Sequence, residues 1–265
     1  VQNHTNKQYL SYRHFWQLVL TKIRFNLRSE VAESYLSYVW WVLEPLLHMG
    51  VFYLVFDVIM NRGGPNFVAF LLCGLVPWLW CAKSVNNSAR SMLQGKGLIS
   101  QTNIPKLFFP LVVVGQDTFK QSFAFALLIL IVLAYGYPIT AYWLWLIPII
   151  AVQILFIISI SFFVSFAIPF AADLQYLLKS GVHLWMLLSG IFYDYRRILL
   201  PEHQELFLLN PMASLIASYR QVLMYGENPR IVSLTYVALF SVLLIGLMSA
   251  VMKRYSNHLT RLVID

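Results

Sequence analysis

The residues able to do acid–base, nucleophilic or metal chemistry are present but unorganised. His4, His14, His48, His183, His203 and His258 are scattered, with no His-Glu-x-x-His pair or other metal-ligand spacing. Serine, histidine and aspartate occur without a nucleophile elbow to frame them. Gln94-Gly95-Lys96-Gly97 has the Gly-Lys pair of a phosphate loop, but glycine follows the lysine and no strand precedes it. Cys73 and Cys81 both lie in strongly apolar sequence and read as packing residues. The chain is therefore not expected to be an enzyme or to bind a cofactor or metal of its own.

The ionisable residues carry more information by where they stand. Glu44 and His48 are four apart and Asp117 and Lys120 three apart, each pair inside a long apolar run and on one helix face. Both are expected to pair within their helix, because unpaired charge in a membrane costs several kcal/mol. Asp57, Asp173 and Lys179 lie near the ends of such runs, where they can reach the interface.

The elements that hold these residues are membrane spans. With 59% hydrophobic and 11% charged residues, the composition falls outside that of a soluble domain. The opening residues lack the short apolar core and cleavage site of a removable signal, so insertion is expected to rest on the spans. Six are expected: Tyr38 to Met60, ending at the turn Gly63-Gly64-Pro65; Phe67 to about Cys81; Leu107 to Tyr135; Trp143 to Phe170; Leu174 to Phe192; and Ile231 to Met252. Backbone groups in lipid must be satisfied within the segment, so the fold class is an all-α integral membrane protein.

Lysine and arginine orient the spans. Lys7, Arg13, Lys22, Arg24 and Arg28 precede the first, Lys83, Arg90, Lys96 and Lys106 join the second to the third, and Lys253, Arg254 and Arg261 form the tail. These segments, and both termini, are expected on the cytoplasmic side. That topology accounts for the net charge of +8, and nucleic acid is not expected as a partner.

Three segments are neither simple spans nor simple loops. Over residues 12–30, at about 100° per residue, Arg13, Gln17, Thr21, Arg24 and Arg28 fall on one face. Phe15, Leu18, Val19, Ile23 and Leu27 fall on the other, as in an interfacial helix. It either anchors to anionic membrane lipid or also guides an anionic headgroup to an entrance. Residues 95–105 predict a short cytoplasmic helix bounded by glycine and proline, which is either a docking point for an ATP-hydrolysing polypeptide or a solvated loop. Residues 193–229 are too long and too rich in Leu, Phe and Met for an ordinary connection. Asn210-Pro211 predicts a helix start and Gly226 its stop. The ~15 residues between span only about 22 Å, short of a ~30 Å core, so an external re-entrant or surface-lying hairpin is expected between the fifth and sixth spans.

Aromatic residues make up 16% of the chain. Trp40, Trp41, Trp78, Trp80, Trp143 and Trp145 fall at span ends, as in an interfacial belt. Tyr53, Phe56, Trp185, Phe192 and Tyr193 could instead face a shared cavity and stack on sugar rings, or simply pack in the core.

Taken in order, these pieces resemble the type-2 ABC exporter permeases that move O-antigen, capsular polysaccharide and teichoic acid. The basic helix is followed by Ser34-Tyr35-Leu36-Ser37-Tyr38-Val39-Trp40-Trp41-Val42-Leu43-Glu44-Pro45 and then by Gly74-Leu75-Val76-Pro77-Trp78. Asn103-Ile104-Pro105-Lys106, Ser189-Gly190-Ile191-Phe192-Tyr193, Leu209-Asn210-Pro211 and Tyr219-Arg220 continue the order. Ser37, Glu33, Ala172 and Gly190 stand where the family commonly has glycine, a basic residue, arginine and proline, which weakens transfer of a basic contact to Glu33 or Ala172.

The resemblance implies a homodimer in the bacterial inner membrane, bound to two copies of an ABC ATP-binding subunit that carries ATP and Mg. The substrate would be a lipid-linked polysaccharide. Lys22, Arg24 and Arg28 would meet its phosphates at a cytoplasmic gate. Tyr38, Trp40, Trp41, Tyr53 and Phe56 would line the channel. Residues 95–105, with Gly95, Lys96, Leu98, Ile99, Gln101 and Pro105, would couple to the ATPase. Asn210, Pro211 and Arg220 would belong to the exit hairpin. Export of a small hydrophobic drug or lipid by the same architecture, or a membrane-embedded glycolipid transferase, are the alternative readings.

Overall fold

The computed structural model describes residues 12–33, 37–59, 66–102, 104–171 and 173–264. The Gly63-Gly64-Pro65 turn, Ser34 to Leu36, Asn103 and Ala172 lie outside the described residues, and the side chains of Glu33, Ser37 and Tyr38 do too. Regular structure among the described residues is helical throughout.

Helix α1 spans Tyr12–Glu33. α2, Ser37–Tyr53, carries Pro45 and widens into a π-turn over Leu54–Ile59. α3 is Phe67–Ala89, with α4 (Ser91–Gln94) and α5 (Lys96–Gln101) after it. α6 covers Phe108–Ala134, and α7, Leu146–Ala167, has a 3-10 turn at each end. α8 is Leu174–Leu187, followed by the short α9 (Tyr195–Ile198), α10 (Pro201–Leu208) and α11 (Pro211–Arg220). α12, Ile231–Arg254, leads to α13, Ser256–Ile264.

Five of these segments are long and apolar enough to cross a membrane: Val39–Ile59, Phe67–Ala89, Phe108–Ala134, Ala141–Phe170 and Ile231–Arg254. The expected fifth span, Leu174 to Phe192, holds only the 14-residue α8, about 21 Å of helix. Gly190 shortly after its end adopts φ +69, a left-handed conformation that closes the run. The second span goes the other way. It was expected to fade after Cys81, yet α3 continues to Ala89 and carries Lys83, Asn86 and Asn87 inside the helix.

α3 is the axis of the fold, packed against α2, α6, α7, α8 and α11. Its small residues make this possible, since Ala69, Cys73, Cys81, Ser84 and Ser88 are fully buried and let neighbouring backbones approach closely. A Cβ on Gly74 would lie 2.8 Å from the Arg220 guanidinium and 3.3 Å from the Ile191 Cα. A second, smaller core gathers Val19 of α1, Met92 of α4, Ile99 of α5, Phe109 of α6 and Leu259 and Val263 of α13. Segments far apart in sequence thus meet at one end of the bundle.

Candidate functional site

On α1 the exposed side chains are both polar and apolar, Leu20 at 53% and Phe25 at 61% among them. Arg13, Gln17, Thr21, Arg24 and Arg28 are exposed, Val19 is buried, and Phe15, Leu18, Ile23 and Leu27 are half-buried. The buried face lies on α6 closely enough that a Cβ on Gly115 would sit 2.4 Å from Ile23 Cδ1. Between α1, α6, α7 and Trp41 runs an apolar groove of about 630 Å³. Its walls include Trp16, Ile23, Leu111, Phe119 and Ile158, and among the described residues lining it the charged side chains are Arg24 and Arg28. Lys22 is not among the lining residues, and its ammonium stands 5.3 Å from the Phe25 ring centroid. Of the three basic candidates, the fold brings two to the groove. A long apolar tail with an anionic head matches such a surface, because phosphate accepts charge-assisted bonds from guanidinium.

The ionisable residues pair between helices rather than within them. Lys83 of α3 forms an ion pair with Glu44 of α2, while His48 turns its Nδ1 to the Glu44 carbonyl oxygen at 3.0 Å. Lys120 pairs with Glu30 of α1 at 2.5 Å, and the Trp41 indole donates to the same carboxylate at 3.4 Å. Asp117 accepts from Asn87 Nδ2 at 3.0 and 3.3 Å. The expected Glu44–His48 and Asp117–Lys120 pairings are thus replaced. Neighbouring helices offer Glu44, Lys120 and Asp117 better-placed side-chain partners than the residue one turn away, while His48 keeps to the backbone of its own helix.

The aromatic candidates divide. Trp40 and Tyr53 are exposed. Trp41 is buried against Phe119 and Phe123. Phe56 stacks on Phe192 with centroids 5.2 Å apart. Trp185 meets Trp78 edge-on and donates to Asn210 Oδ1 at 2.9 Å. Tyr193 lies beside Phe207 and donates to the Leu187 carbonyl at 3.3 Å. Trp41 and Trp185 are therefore engaged inside this chain, and Tyr38 has no described side chain.

Asn210 caps α11 by accepting from Met212 N at 3.1 Å, with Pro211 in the first turn, and Gly226 ends the following π-turn at φ +61. Arg220 is almost fully buried. It donates to Gly190 O and Ile191 O at 2.7 Å each and to Phe70 O at 3.2 and 3.3 Å, with its guanidinium 3.5 Å from the Phe70 ring centroid. It ties α11 to α3 and to the turn after α8. Beside it, Tyr219 donates to Gln153 Oε1 at 2.7 Å and Gln153 Nε2 donates to Pro77 O at 2.8 Å. Sequence reasoning missed this relay, whose one signal is a glutamine in the middle of an apolar run.

In the connection after α3, Lys96 and Gln101 are exposed, as is Pro105, and Leu98 is half-buried. Ile99 points inward. A Cβ on Gly95 would strike the Phe109 ring at 2.3 Å, so the α4–α5 corner is pressed against α6. α13, which sequence reasoning left as a tail, packs against α5. Lys106 is buried, and desolvation lowers its pKa from the usual lysine value. Among the described residues no group of His, Cys, Asp and Glu is placed to hold a metal.

Comparison with known proteins finds close agreement over most of the chain. It is 30% identical over 237 residues to the O-antigen export system permease protein RfbA of Klebsiella pneumoniae, covering 88% of this chain and 91% of that protein. It is 27% identical to the O-antigen export system permease protein RfbA of Myxococcus xanthus, with 88% and 90% covered. The polysialic acid transport protein KpsM of Escherichia coli is 26% identical, with 83% and 87% covered. No protein-family model matches the chain.

Proposed function

Because the chain belongs to the permease family of ABC polysaccharide exporters, we propose that two copies of it carry a lipid-linked glycan of the O-antigen, capsule or teichoic acid type out of the cytoplasm. ATP and Mg are bound and ATP hydrolysed by two copies of a separate subunit. The complex sits in the bacterial inner membrane with both termini of this chain inside. In this reading α8 and the turn after it complete a sixth crossing, α1 lies along the inner surface, and α9 to α11 form a re-entrant hairpin over the outer mouth.

The observation that carries the proposal is the groove rimmed by Arg24 and Arg28. Its apolar walls suit a polyprenyl chain, and its two guanidiniums suit the phosphates that join lipid to sugar. A hydrogen bond to a charged group contributes roughly 1.5–3 kcal/mol, so two such contacts discriminate against an uncharged lipid. The exposed α5 residues Lys96 and Gln101, braced from behind by Ile99 and α13, form the docking surface for the ATPase. Arg24→Ala with Arg28→Ala is expected to lower export and glycan-stimulated ATP hydrolysis together, with Lys22→Ala far milder. Unchanged export in the double variant would remove the gate.

A further inference from the structure

We propose that Glu44, His48, Lys83 and Asn87 line a water-filled vestibule in the cytoplasmic half of the bundle and that it receives the sugar portion of the substrate. The inference builds on the export reading above. Lys83 and Glu44 form an ion pair between α3 and α2, yet their side chains remain 40% and 39% exposed. His48, one turn beyond Glu44, is exposed as well. On α3, Lys83, Asn86, Asn87 and Arg90 share one face at helical spacing, and Asn87 and Arg90 are exposed.

Both helices are long and apolar enough to span a membrane, and the strip lies inside them. Lys83 stands about 9 Å before the end of α3, and His48 about 16 Å beyond the start of α2. Charge at that depth facing hydrocarbon costs several kcal/mol, and such residues face a bundle interior or a hydrated cavity. Exposed surface elsewhere on the spans is apolar, as at Leu243, 73% exposed, and Leu247, 60% exposed, midway along α12. The strip on α2 and α3 is therefore a polar surface that only water, a polar ligand or protein can cover.

The chemistry of the strip favours a sugar. A carboxylate, an ammonium, an imidazole and an amide set donors and acceptors side by side, and each sugar hydroxyl both donates and accepts. Asn87 is held in place by its bonds to Asp117, which leaves its amide oxygen for a ligand. A small hydrophobic substrate would gain nothing from these groups.

The test is cysteine accessibility in inverted membrane vesicles carrying the complete exporter. Cys73 and Cys81 are fully buried and give little background. A membrane-impermeant, charged methanethiosulfonate should label His48→Cys and Asn87→Cys but not Leu243→Cys or Leu247→Cys of α12, because only a hydrated thiol forms the reactive thiolate. Lipid-linked glycan should slow labelling at His48→Cys several-fold. Unlabelled strip positions beside a labelled Arg254→Cys control would show that protein or lipid covers the strip, and would overturn the vestibule. Equal labelling with and without glycan would overturn the sugar contact. The first arm does not depend on the substrate being a polysaccharide, so failure of the export reading shows only in the second.

Discussion

Replacing Arg220 with alanine should release α11 from α3 and from the turn after α8. The guanidinium makes its two shortest bonds to Gly190 O and Ile191 O, both at 2.7 Å. Phe70 O also lies in the α3 ladder and keeps a partner there. Two charge-assisted bonds at about 1.5 kcal/mol each, with about 1 kcal/mol for the stack on Phe70, give a loss of roughly 4 kcal/mol. Arg220→Lys should lose about half of that, because an ammonium cannot fork to two diverging carbonyls. For a chain of this size, ~4 kcal/mol lowers the unfolding midpoint by roughly 10 °C. The assay is thermal unfolding of the purified protein in detergent, with hydrogen exchange followed across α10 and α11. A midpoint within 2 °C of the parent, with unchanged exchange in α11, would refute the clamp.

Tyr219→Phe leaves Gln153 Oε1 without its donor and should cost about 1–2 kcal/mol. Adding Gln153→Leu should cost less than the two single changes summed, measured in the same unfolding assay as a double-mutant cycle. Gly190→Ala should destabilise by about 1–2 kcal/mol through the left-handed backbone, with a further loss because its Cβ would lie 2.8 Å from Phe207 Cζ. Phe207→Leu should recover only the second part. Lys106 has a folded pKa below its unfolded one because burial disfavours the charge. The unfolded chain therefore holds the proton in the window between the two values, and stability rises with pH across it. Lys106→Met should raise the midpoint at neutral pH and flatten that rise, as a pH series of unfolding curves would show.

Much of the fold can be read from local signals. Asn210-Pro211 and Gly226 mark the start of α11 and the end of its π-turn because a cap and a left-handed stop are set by the residues themselves. The inward turn of Val19 on α1 follows from spacing alone. Tertiary partners hide the rest. Lys83, Asn86 and Asn87 look like a helix end, yet within α3 they donate to Glu44, the Ala82 carbonyl and Asp117. Glu30 reaches Lys120 across 90 residues of chain, a pairing no helical period encodes. α13 is too short to stand out until Leu259 and Val263 are seen packing under α5. The expected fifth span overshoots α8 because Ile191 and Phe192 extend the apolar run past the glycine that breaks it.

The central claim is that this chain is the membrane subunit of an ATP-driven polysaccharide exporter. The measurement that tests it most directly is ATP hydrolysis by the chain co-purified with its ATP-binding subunit in nanodiscs, with and without lipid-linked glycan. The account predicts a stable complex whose hydrolysis rises with glycan and no longer does so when residues 95–105 are altered. A complex that hydrolyses ATP at one rate whatever glycan is supplied, or a chain that binds no ATPase, would contradict it.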